Sequence, residues 1–137
     1  MLKKTPILAA GFIILTILLL YSIGRAILSS DYALMFRSLT VTIHNETADD
    51  LMLIEMGVLS GTPPQYKTPY ELVVKSGTKA TVKPRLKLTG EGSVYMRYMD
   101  GAGKVQQQNV CGYTESLSGT STVIIRKDGV KVEEKCY

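Results

Sequence analysis

A mainly β chain, with an N-terminal transmembrane helix ahead of a small antiparallel β-sandwich or barrel, is predicted by three observations. Residues Pro6 to Ile23, PILAAGFIILTILLLYSI, run for 18 residues without a charge. From Ser38 onward the apolar period changes from helical to two. Turn residues then interrupt the chain at short, regular intervals, a pattern that suits a two-sheet architecture of broadly immunoglobulin-like form.

As a helix the uncharged run spans about 27 Å, close to the roughly 30 Å hydrocarbon core of a bilayer. Thr16 and Ser22 lie inside it and can bond back to the preceding turn. Tyr21 stands near the end, where an interfacial ring is favoured. Lys3 and Lys4 precede the run and Arg25 follows it. The positive-inside tendency therefore puts the N-terminus in the cytoplasm. The expectation is a single-pass protein of the inner (plasma) membrane with a periplasmic, or otherwise extracytoplasmic, C-terminal domain. A cleaved secretory signal is the alternative, since Ser22-Ile23-Gly24 and Gly24-Arg25-Ala26 offer small residues to a peptidase. Leu8-Ala9-Ala10-Gly11 resembles the start of a lipidation box, but Phe12 stands where a cysteine is required.

The expected organisation is a cytoplasmic N-terminus over residues 1–5, a signal-anchor helix over 6–23 in contact with the lipid bilayer, a juxtamembrane linker or helix over 24–37, and a β-domain over 38–137. In the juxtamembrane stretch Ile27, Leu28, Leu34 and Met35 would line one helical face, with Ser29, Ser30 and Asp31 as possible caps. A helical extension, a short interfacial helix and a plain tether are all compatible with it.

Leu39 to His44 alternates strictly, placing Leu39, Val41 and Ile43 on one face and Thr40, Thr42 and His44 on the other. Asn45 to Asp50 is turn chemistry, after which Leu51 to Val58 forms a second strand with Glu55 as its only charge. Tyr70–Val74 and Lys79–Leu88 flank Ser76-Gly77-Thr78 as a hairpin. Two more hairpins are expected, Val94–Met99 with Val105–Cys111, and Ser121–Lys127 with Val130–Cys136 about Asp128-Gly129. A two-residue Asp-Gly loop would set Ile125 opposite Val132 and Ser121 opposite Cys136.

The net charge of +4 overstates the outer domain, which carries 12 Lys/Arg against 11 Asp/Glu from Ser38 onward. Nucleic-acid binding thus lacks its electrostatic basis. Cys111 and Cys136 both lie in the exported part, where a pair closes into a disulfide. They are not spaced as a redox C-x-x-C, so the bridge is expected to be structural. One histidine, His44, leaves little of the usual catalytic repertoire, and no metalloprotease, nucleophile-elbow or P-loop spacing occurs. Neither a catalytic group nor a cofactor is expected.

The candidate recognition surface combines the loop residues Pro63, Pro64 and Tyr66 with Tyr70 and the basic stripe Lys83, Arg85 and Lys87. Tyr95, Tyr98 and Tyr113 extend the supply of rigid aromatic contact area. The stripe has a plainer reading as edge protection, because Pro84 lacks the amide that a central strand needs. Asn45-Glu46-Thr47 fits a glycosylation sequon, with a turn residue as the default. Met52 and Met56, taken to share a strand face, together with Met96, Met99 and His44 offer a soft-ligand set for copper, though core packing explains the methionines more simply. The expected function is non-enzymatic. The outer domain would bind another envelope protein in an accessory, adaptor, or inhibitor or immunity-type role. Alternatives are a small-ligand or glycan module using the tyrosines and, behind it, a copper protein.

Overall fold

The computed structural model describes residues 5–28, 35–61 and 66–137. Lys3, Lys4, Ser29, Ser30, Asp31, Tyr32, Leu34 and the loop prolines Pro63 and Pro64 lie outside these residues. The chain divides into two compact units, Met1–Ala33 and Leu34–Tyr137.

In the first unit a single helix, α1 (Thr5–Leu28), contains the uncharged run and continues past it through Arg25. The helical extension is thus what forms as far as Leu28. Thr16 Oγ1 donates to the Phe12 carbonyl and Ser22 Oγ to that of Leu18, both at 2.8 Å, so neither hydroxyl is left unpaired in an apolar helix. From Ala10 to Leu28 the helix has the length and composition of a membrane anchor or a signal sequence, and none of that stretch is buried.

The second unit is a sandwich of eight strands: β1 (Thr40–Asn45), β2 (Leu51–Leu59), β3 (Lys67–Val74), β4 (Lys79–Val82), β5 (Gly92–Met99), β6 (Val105–Thr114), β7 (Gly119–Arg126) and β8 (Gly129–Cys136). They form two four-stranded sheets, ordered β4-β1-β7-β8 and β3-β2-β5-β6, and no barrel closes. The alternation read in β1 holds: Leu39, Val41 and Ile43 are buried against Leu53, Met56, Val58, Val94, Met96, Val110, Val123 and Ile125 in one core. Each such side chain contributes roughly 1.5–3 kcal/mol of burial.

Three expectations about pairing are corrected. Tyr70–Val74 and Lys79–Leu88 do not form a hairpin, because β3 pairs with β2 in one sheet and β4 with β1 in the other. The turn at Lys75–Thr78 carries the chain between layers. It is held there by hydrogen bonds from Gly77 N to Asn45 O and from Asn45 N to Thr78 O, each 2.9 Å. Val74 and Val82 both reach the core, each from its own sheet. Second, β1 and β7 run parallel, from Thr40↔Thr120 to Asn45↔Ile125, so the first sheet is mixed.

Third, the last hairpin turns on Lys127-Asp128, not on Asp128-Gly129. The pairs are therefore Ile125↔Val130, Val123↔Val132, Ser121↔Glu134 and Gly119↔Cys136. Gly129 occupies the first strand position at φ 153°, a backbone region that other residues avoid, and so sits beside the turn and not in it. The slip from the expected register is two residues. Since side chains alternate with period two, Cys136 keeps the face assigned to it.

Candidate functional site

The open edges of the two sheets, β4 and β3, are bridged by residues 83–88. This stretch follows β4 but has no strand ladder, contrary to the expected strand Lys79–Leu88, which ends at Val82. Pro84 supplies no amide there. The alternation survives without the ladder: Lys83, Arg85 and Lys87 are exposed, whereas Pro84, Leu86 and Leu88 are half-buried. Leu86 and Leu88 pack against the core and hold the segment down.

The same segment meets the start of β3. Thr68 Oγ1 donates to the Arg85 carbonyl at 2.9 Å, and Lys87 Nζ lies 5.4 Å from the centroid of the Tyr66 ring. Tyr66 is itself fixed by its carbonyl, which accepts from Val58 N at 2.9 Å. Tyr70 is half-buried against the core. Burial pushes its phenol up, and the nearby Arg85 guanidinium partly offsets the rise. Tyr66, Tyr70, Arg85 and Lys87, separated by up to 21 positions in the chain, thus form one edge. Lys83 lies farther along the segment, beside Leu39 and Leu117. Pro63 and Pro64 are outside the described residues.

The remaining tyrosines do not join this edge. Tyr95 lies flat over Gly57, where a Cβ would stand 2.6 Å from its ring, and its hydroxyl donates to Glu55 Oε1 at 3.2 Å. Glu55 is 8% exposed and is also contacted by Arg97 and Lys67, each at 3.3 Å. Its burial raises the carboxyl, but the bonds from Arg97, Lys67 and Tyr95 outweigh that and hold it below the ordinary carboxylate value. Tyr98 enters the core, and Tyr113 is exposed with its hydroxyl between the carboxylates of Glu91 and Glu115. The hydrogen bonds it donates to Glu115 and then to Glu91 push that phenol up.

The copper set is not assembled. A bulge between Leu53 and Glu55 puts Met52 and Met56 on opposite faces, in place of the shared face expected of them. Met56 pairs with Met96 inside, Met52 pairs with Met99 outside, and His44 belongs to the outer face of the other sheet. Cys111 and Cys136 are joined in a disulfide with Cα atoms 6.0 Å apart, tying β6 of one sheet to β8 of the other. Glu134 approaches the pair, but both sulfurs are spent in the bridge and the carboxylate accepts from Gly112 N at 2.7 Å.

Asn45 is the residue that the sequence reading undervalued. It is 1% exposed, not a surface turn or a reachable glycosylation site. Its Nδ2 donates to the carbonyls of Asp49 at 2.7 Å and Val74 at 2.9 Å, while Oδ1 accepts from Thr47 N at 3.0 Å and Thr47 Oγ1 at 2.7 Å. The signal was present: Leu39, Val41, Ile43 and Asn45 share one period-two phase, so the asparagine had to face inward. Comparison of the chain with protein-family models, with curated proteins and with solved structures yields no match.

Proposed function

We propose that this is a single-span envelope protein, N-terminus in the cytoplasm, whose extracytoplasmic β-domain binds another envelope protein without catalysing a reaction. An accessory, adaptor, or inhibitor or immunity-type role fits that description. The observation that carries the reading is the edge where Tyr66 and Tyr70 meet Arg85 and Lys87: fixed aromatic surface beside exposed cations, with tyrosine and arginine among the residue types that dominate binding energy at protein interfaces. The exposed apolar helix α1 supports the membrane setting, and the disulfide supports an oxidising one. The glycan alternative is weaker, because Lys87 already stands over the Tyr66 ring.

A photocrosslinking residue placed at Arg85 or Tyr66 in the full chain, irradiated in intact cells, is expected to give one discrete protein adduct. The same residue at Glu133, on β8 at the opposite edge of the β4 sheet, should give none. Equal labelling from all three positions, or none from the first two, overturns the reading. A reporter fused after Tyr137 tests orientation, and activity confined to the cytoplasm would reverse it.

A further inference from the structure

At the end of the sandwich where β1, β5 and β7 finish and β2, β6 and β8 begin, the two sheets part around a cleft of about 640 Å³. Leu51, Ile125 and Val130 give it an apolar floor. Tyr98 completes that floor and is 6% exposed, yet its hydroxyl makes no hydrogen bond among the described residues. No fully buried side-chain oxygen or nitrogen among these residues lacks a partner, so this oxygen is reached from the cleft. Burial, with the charge of Asp100, keeps the phenol protonated.

The rim is acidic. Asp100 is committed to its own loop, accepting from Ala102 N at 3.1 Å, Lys104 N at 2.9 Å and Gln106 Nε2 at 3.1 Å, but it retains its charge. Asp49 lies over Gly101, and its carboxylate and that of Asp128 have no hydrogen bond or ion pair among the described residues. Of the lining cations, Arg126 pairs with Glu46 at 2.7 Å and also feels the charge of Asp128, so Arg126 and Lys127 stand against the three carboxylates of Asp49, Asp100 and Asp128 and the lining keeps a negative excess.

We propose that this cleft binds a primary alkylammonium group, an apolar chain ending in a cation, as a lysine side chain of a partner protein or a free aliphatic diamine presents it. The methylene stem lies on Val130 and on the small part of Leu51 and Ile125 that the cleft leaves open, removing mainly its own apolar surface from water. The ammonium head donates to the Tyr98 oxygen and to the carboxylates of Asp49 and Asp128, meeting charge with charge. A carboxylate-terminated chain of equal length is repelled by the same rim. The site is separate from the Tyr66–Arg85 edge, so either can fail without the other.

The test uses the full-length chain, ¹⁵N-labelled, in detergent micelles at fixed ionic strength. It is titrated with 1,5-diaminopentane, with N-acetyl-lysine-methylamide and with hexanoate. The expected result is saturable shifts at the amides of Asp49, Gly101 and Asp128 for either amine and none for hexanoate. Tyr98→Phe should weaken amine binding about 2- to 10-fold, the range for one hydrogen bond. Asp128→Asn, in an exposed turn, should weaken it too while leaving the spectrum otherwise native. Tighter binding of the lysine derivative points to a protein side chain, and of the diamine to a small molecule, each within the proposal. Unsaturable shifts, equal response to hexanoate, or undiminished binding by both variants overturns it.

Discussion

At the end of the sandwich where β6 and β8 finish, the sheets are joined by Cys111–Cys136, and Thr114 Oγ1 and Ser116 Oγ both donate to the main-chain oxygen of Tyr137. Gly119 lets β7 and β8 close up there, at φ 103° and with no room for a Cβ beside the Lys135 carbonyl. At the opposite end the described loops carry no covalent tie, and one buried asparagine gathers Thr47, Asp49 and Val74. The two ends hold the same layers together by different physics. A disulfide acts largely through the unfolded chain, whose freedom it removes, and therefore persists when local contacts loosen. A buried amide acts only while all its partners are in place, but it leaves the loops around it free to part, and the cleft is found at that end.

Breaking the covalent end should have the largest effect. Cys136→Ser is expected to cost roughly 2–4 kcal/mol and to lower Tm of the β-unit by about 10 °C or more, measured by thermal circular dichroism. Amide exchange should accelerate first along β8. An unchanged Tm, or free thiols titrating in the native protein, would contradict a structural bridge.

Breaking the open end should cost nearly as much for a single side chain. Asn45→Ala leaves the Val74 and Asp49 carbonyls without a donor in a buried place, an expected loss of about 2–3 kcal/mol in denaturant unfolding. Exchange should then rise at Thr47, Asp49 and Gly77 and not at Cys136. Loosening spread evenly over both ends would mean that the two are one cooperative unit, and the contrast drawn above would fall.

A smaller effect should come from the middle of the second sheet and depend on pH. The Glu55 carboxyl is held below its ordinary value of 4.5, so the stability it contributes is complete above that value and is lost as pH falls through the lower, folded-state value. Glu55→Gln should therefore be less stable than the parent at pH 7, with the gap narrowing below pH 4.5. A gap that stays constant down to pH 2 would show that shape, not charge, is what Glu55 supplies. The smallest change is expected for Arg126→Ala at the cleft rim, whose pair with Glu46 is exposed on both sides. Urea midpoints of parent and variant should coincide within error.

Much of this was legible from spacing. The apolar run of α1, the alternation of β1, the hairpins β5–β6 and β7–β8, and the closure of Cys111 with Cys136 all follow from residues near one another or from a simple pairing of two cysteines. Pairing choices were harder. Ser76-Gly77-Thr78 reads as a hairpin turn, and its chemistry is indeed that of a turn, yet it joins strands of different sheets. The bulge at Leu53/Glu55 left no mark strong enough to show that Met52 and Met56 would part. Asn45 was readable but its turn-forming chemistry concealed its period-two phase.

By itself the sequence determined where the helix and most strands lie, though not that β4 ends at Val82, which faces of most strands are apolar, and that an apolar helix precedes a β-unit with a cysteine pair. These are local properties, written in periods of 3.6 and 2 and in turn residues. The tertiary structure alone decided that β1 runs parallel to β7, that residues 83–88 cross from one sheet edge to the other and bring Arg85 and Lys87 to Tyr66 and Tyr70, and that the loops before β2, β6 and β8 leave a cleft lined by Tyr98. Alternation tells a strand which face to bury but is the same for every partner and either direction. The choice among partners is made by burying both sheets' inner faces at once, and no single segment contains it.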